Sequence, residues 1–119
     1  MQGRRQERMA GLIKEKVSEV INQVLDKFFG YFITITDVDI SSDNMNVKIS
    51  YSVLGGEIEK AKVKELFKKS QSKIRFEVGN RIEFRRVPVF HFEYDSTIER
   101  ASRIENLLIK LKDENEKFE

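Results

Sequence analysis

Apolar residues in the first thirty positions fall at Leu12, Ile13, Val17, Val20, Ile21, Val24, Leu25, Phe28 and Phe29. Recurring steps of three and four place them on one side of an amphipathic helix, and Gly30 is positioned to stop it. The period then changes. Tyr31 to Ile40 (Y-F-I-T-I-T-D-V-D-I) is rich in β-branched residues and reads as a strand. Its alternation slips by one, since Ile33 and Ile35 are odd-numbered while Val38 and Ile40 are even. A β-bulge near Thr36–Asp37 accounts for the slip, as would a strand apolar on both faces. Ser41-Ser42-Asp43-Asn44 supplies turn chemistry. Val47, Ile49, Tyr51 and Val53 then alternate with polar residues, so a hairpin is expected.

Beyond Gly55-Gly56, helical spacing resumes at Ile58, Ala61, Val63, Leu66 and Phe67. Ser70-Gln71-Ser72 disturbs it before Ile74 and Val78 restore it, which predicts a kink or two short helices, with Gly79 as a C-cap. Ile82, Phe84, Phe90, Phe92 and Tyr94 share one parity and predict a long strand from Arg81 to Tyr94. Pro88, the one proline, puts that strand at a sheet edge or breaks it. Ser96-Thr97-Ile98-Glu99 is a capping box opening a last amphipathic helix with Ile98, Ala101, Ile104, Leu107, Leu108 and Leu111. The order is α-β-β-α-α-β-α, an α+β layer of helices against three strands. Its expected core holds Leu12, Val20, Val24, Ile49, Tyr51, Leu66, Phe67, Ile74, Phe84 and Phe92.

At 119 residues the chain suits one domain, taken here as residues 1–111, followed by a charged tail at 112–119 expected to fray. No apolar run approaches the ~20 residues of a membrane-spanning helix. The basic start leads into an amphipathic segment, so no signal peptide is expected, and the absence of cysteine favours a reducing cytoplasm. With no cysteine and a single histidine, thiol catalysis and multi-histidine metal sites are excluded. Charge is segregated despite a net +2: residues 60–86 hold ten basic residues against three acidic, whereas 93–119 hold five against eight. Such segregation suggests a basic face for a polyanion and a separate acidic surface, against the plain reading of solvated helix lysines.

Several residues resemble the bacterial ribosome-binding factor A family. One block is Ile33-Thr34-Ile35-Thr36-Asp37-Val38-Asp39-Ile40-Ser41, followed by Lys48 and Tyr51-Ser52-Val53-Leu54-Gly55. A second is Ile74-Arg75, Gly79, Arg81-Ile82, Val87-Pro88 and Phe92-Glu93-Tyr94-Asp95, and the likeness covers roughly residues 5–108. The resemblance implies a type II KH-like fold, helix–strand–strand–helix–kink–helix–strand, here with an added C-terminal helix. It implies a non-enzymatic, cofactor-free factor that binds the small ribosomal subunit during late maturation of its RNA and is linked to growth in the cold. The family's kink falls at an Ala-x-Gly sequence, whereas the aligned positions here read Ser70-Gln71-Ser72.

Phosphates call for mobile cations along one face. With the resemblance, that makes Lys62, Lys68, Lys69, Lys73, Arg75, Arg81, Arg85 and Arg86 the expected RNA contacts, with Arg4, Arg5 and Arg8 as a flexible basic arm. Lys62, Lys69 and Lys73 share a helix face if the kink is mild. Asp37 and Asp39 lie about 7 Å apart on one strand face, yet no histidine or third ligand adjoins them in sequence. His91 reads as an ordinary strand histidine. Phe84, Phe90 and Phe92 read as core rather than a base-stacking platform. The leading function is RNA binding in the small subunit by a monomer. The alternative is a protein-interaction module acting through the acidic C-terminal helix.

Overall fold

The computed structural model describes residues 3–117. It comprises α1 (Arg4–Glu19), β1 (Phe32–Ile40), β2 (Asn46–Leu54), α2 (Glu57–Gly79), β3 (Val89–Tyr94) and α3 (Thr97–Lys117). Central β2 pairs antiparallel with β1 through a hairpin and parallel with β3, the return being made by α2 as a parallel pair requires. The predicted bulge is present. Pairing shifts between Ile35 and Asp37, so Thr36 is the extra residue. Ile33, Ile35, Val38 and Ile40 therefore all face the helices and are buried.

Three expectations are corrected. The first helix does not run whole to Phe29. After Glu19 it widens over Val20–Val24, closed by Leu25 N–H to the Val20 carbonyl at 2.9 Å, and a single tight turn follows at Asp26–Phe28. The extra residue in that wide turn re-phases the chain. Leu25 and Phe28 are buried, while Val24 and Leu12, both expected in the core, are exposed. Gly30, at φ 95°, then makes the reversal that a side chain would resist.

Of the two forms expected around Ser70-Gln71-Ser72, two short helices are not what forms: α2 is one continuous 23-residue helix through those residues. Val63, Phe67, Ile74 and Val78 are buried at spacings of four, seven and four, so one apolar face passes through those residues in register. Gln71 reaches sideways, its amide donating to the Phe90 carbonyl of β3. Gly79 is the last residue of this helix rather than a cap beyond it. A Cβ there would lie 3.2 Å from Val87, so glycine admits the returning chain.

The long third strand is only Val89–Tyr94, at the edge of the sheet. Residues 81–88 return irregularly, and Pro88, with no N–H to donate, ends that stretch. Arg75 pins it: Nε donates to the Pro88 carbonyl at 2.9 Å and a terminal nitrogen to the Val87 carbonyl at 2.7 Å. Ile82 is buried from this loop, whereas Phe84 and Phe92 are half-buried against the core. Phe67 is the aromatic centre, with Tyr51, Phe92 and Phe28 at 4.4, 4.5 and 5.0 Å between ring centroids.

The start of α3 also differs from the expected capping box. Asp95 Oδ1 accepts the Thr97 N–H at 2.9 Å, while Glu99 accepts from the Tyr94 hydroxyl and the Lys60 ammonium. Beyond that latch α3 projects: Ile104, Leu107, Leu108, Ile109 and Leu111 are all about half exposed or more. Phe118 and Glu119, the end of the tail expected to fray, lie outside the described residues.

Candidate nucleic-acid interface

The basic residues fall on two flanks of α2 and in one groove. Because its buried stripe is continuous, α2 places Lys62, Lys69 and Lys73 (seven and four apart) on one exposed flank. Phe76, 65% exposed, follows Lys69 by seven and Lys73 by three. Lys69 lies 3.8 Å from Glu65, while Lys62 and Lys73 have no ion-pair partner among the described residues. Such unpaired ammonium groups remain available to phosphates.

Lys64, Lys68 and Arg75, also four and seven apart, occupy the opposite flank. There Lys64 and Lys68 border a cleft with Tyr51, Phe67, Gln71, His91 and Phe92 beside the edge strand β3. Lys64 is not among the contacts expected from sequence, although its spacing from Lys68 was the available signal. His91 Nε2 lies 2.9 Å from Asn46 Oδ1, in the hydrogen-bonded setting expected of it.

Two expected contacts have structural partners. Arg75 holds the Val87 and Pro88 carbonyls, and Arg81 donates to the Glu77 carboxylate and to the Glu77 carbonyl, each at 2.8 Å. Arg81 thereby places its cation at the negative end of the helix dipole. Arg4, Arg5 and Arg8 do not form a flexible arm: they occupy the first two turns of α1, all exposed.

Arg5 meets Arg85 and Arg86 in a groove of about 610 Å³ between the start of α1, the β1–β2 turn and the irregular 81–88 segment. Met9, Met45, Phe84 and Pro88 contribute apolar surface, and Asp43 and Glu83 are the acidic residues in its wall. The turn is locked. Gln6 Nε2 donates to the Ser41 carbonyl at 3.1 Å and to Asn44 Oδ1 at 2.9 Å, with Asn44 at φ 59°. Asp43 accepts from the Ser41 hydroxyl, which lowers its carboxyl pKa, and from the Met45 N–H.

The acidic pair on β1 takes no part. Asp37 and Asp39 are exposed on the open sheet face, and no cluster among the described residues combines three groups suited to a metal. No described helix is long and apolar enough to cross a membrane.

A three-stranded mixed sheet with α1 and α2 on one face and a single parallel return defines an α+β domain of the KH-like type. The ribosome-binding factor A profile matches residues 5–108, and ribosome-binding factor A from Halothermothrix orenii is 36% identical over 117 residues, 98% of this chain and 95% of that protein. The chain belongs to the ribosome-binding factor A family. The crystal structure of ribosome-binding factor A from Thermus thermophilus superposes with a TM-score of 0.60 at 15% identity, over 75% of this chain and 94% of that one. A Thermus thermophilus homology model fitted into a cryo-EM map of a 30S–RbfA complex gives a TM-score of 0.55 at 14% identity, over 80% and 96%.

Proposed function

We propose that this chain is a cytoplasmic ribosome assembly factor that binds the small ribosomal subunit, as a monomer and without a cofactor, through ribosomal RNA. Its task is late maturation of that RNA, with a role in growth in the cold. The observation that carries the reading is the exposure of eight of the ten basic residues in 60–86, within a chain of this family. A family relative fitted into a 30S complex supports the small subunit as partner. The contacts proposed are Lys62, Lys68, Lys69 and Lys73 on α2, with Arg4, Arg5, Arg8, Arg85 and Arg86 around the groove. Arg75 and Arg81 contribute charge while holding the fold.

Sedimentation with purified small subunits over a salt series tests this. Co-sedimentation should weaken with a log–log slope of about −0.7 per single-stranded phosphate contacted. A salt-insensitive association would contradict it. The exposed stripe of α3 favours a second reading, a protein contact made by that helix, and this is the reading a flat salt response would support.

A further inference from the structure

The groove beside α1 combines an apolar lining, three arginines and a wall locked by hydrogen bonds between α1 and the hairpin turn. Buried Ile13, Ile40 and Val47 and the more open Met9, Met45 and Phe84 make up its apolar lining, and Met9 and Phe84 pack against the core with part of their surface left open. Arg5, Arg85 and Arg86 stand at the rim, all exposed and without an ion-pair partner among the described residues. Gln6 ties α1 to the hairpin turn, so the two walls are held together before anything binds. A volume of about 610 Å³ falls within the about 300–1,000 Å³ usual for small-molecule sites.

We propose that this groove takes one unpaired RNA nucleotide, its base against Met9, Met45 and Phe84 and the adjoining phosphates on Arg5, Arg85 and Arg86. The inference rests on the RNA-binding reading and adds to it a preference for single-stranded over duplex RNA. A base offers an apolar face and a polar edge, and the groove offers the complement of both. Aromatic and apolar surface receives the face. Glu83, in the same wall, accepts from an exocyclic amino group. Paired bases in an A-form helix keep their faces stacked, so a duplex leaves the apolar lining empty. Three arginines against Asp43 and Glu83 leave the rim net positive, and Asp43 is already engaged by Ser41 and Met45.

The methionines provide the test. Protein carrying ¹³C-methyl methionine is titrated with a short single-stranded RNA, with the same backbone lacking its bases, and with a blunt RNA duplex. The single strand should shift the Met9 and Met45 methyl resonances upfield through the ring current of the stacked base, and the other two probes should not. The double variant R85Q/R86Q should weaken single-strand binding and flatten its log–log salt slope by about 1.4, two contacts at about 0.7 each. If the single strand saturates the protein while both methyls stay in place, the groove is overturned and RNA binding elsewhere stands. If no RNA binds and small subunits do not co-sediment, both the groove and the proposed function fall.

Discussion

Thr36 owes its position to a slip in hydrophobic phase, and its hydroxyl then ties the bulge to the far edge of the sheet by donating to Asp95 Oδ2 at 2.7 Å. Asp95 also accepts from Thr97, and these bonds, Thr97 first and Thr36 second, depress its carboxyl from 3.8 to about 2. Because the folded pKa is the lower, this anion's stabilising effect is complete above about pH 4 and lost as pH falls through about 2. T36V should raise the Asp95 midpoint, followed by carboxyl NMR, from about 2 toward 3.8. An unchanged midpoint would remove Thr36 from the account. Burial makes a parallel prediction for the aromatics. Phe67, buried among three rings, should cost about 3–5 kcal/mol on change to alanine. Phe84, half open to the groove, should cost less in the same denaturant titration. Equal losses would mean that the apolar lining of the groove is closed.

Among the elements, those read by a clean period were legible from sequence, and the errors came where another signal was set above the period or the period was extended too far. The bulge followed from Ile33 and Ile35 against Val38 and Ile40, since a half-buried strand cannot change parity without an extra residue. The two-helix expectation around Ser70 gave the serines' local competition more weight than the unbroken spacing of Val63, Phe67, Ile74 and Val78. The length of the third strand relied on parity although Pro88 already marked an edge or a break, and Ile82 satisfies parity from a loop held by Arg75. For α3, an amphipathic stripe predicts a helix but names no partner, and the structure leaves that stripe exposed. Deleting residues 104–119, which keeps the Glu99 latch, should therefore shift the thermal midpoint by less than about 4 °C, equivalent to under about 1 kcal/mol. A fall well beyond that would show the helix packed on the domain.

Over the whole molecule, the basic surface was readable where it is continuous in sequence and unreadable where topology assembles it. Lys62, Lys69 and Lys73 declare a common flank by spacing alone. Arg5 and Arg85 are eighty positions apart, and only the return of the 81–88 segment toward the hairpin turn brings them to one groove. The opposite error concerns Arg81, whose partner Glu77 lies four residues earlier, a spacing that already marked a structural pair.

The central claim, that a shaped basic surface and not overall charge binds the small subunit, is tested by comparing two triple variants in one sedimentation assay at matched salt. Changing Lys62, Lys69 and Lys73 to glutamate reverses one exposed flank of α2, whereas changing Arg100, Arg103 and Lys110 to glutamate makes the same charge change on the projecting α3. Long-range attraction scales with total charge and would weaken both alike, while phosphate contacts need cations within hydrogen-bonding reach. The α2 variant should fail to sediment with the subunit, and the α3 variant should sediment nearly as the unaltered chain does. Equal binding by the two variants would contradict the claim.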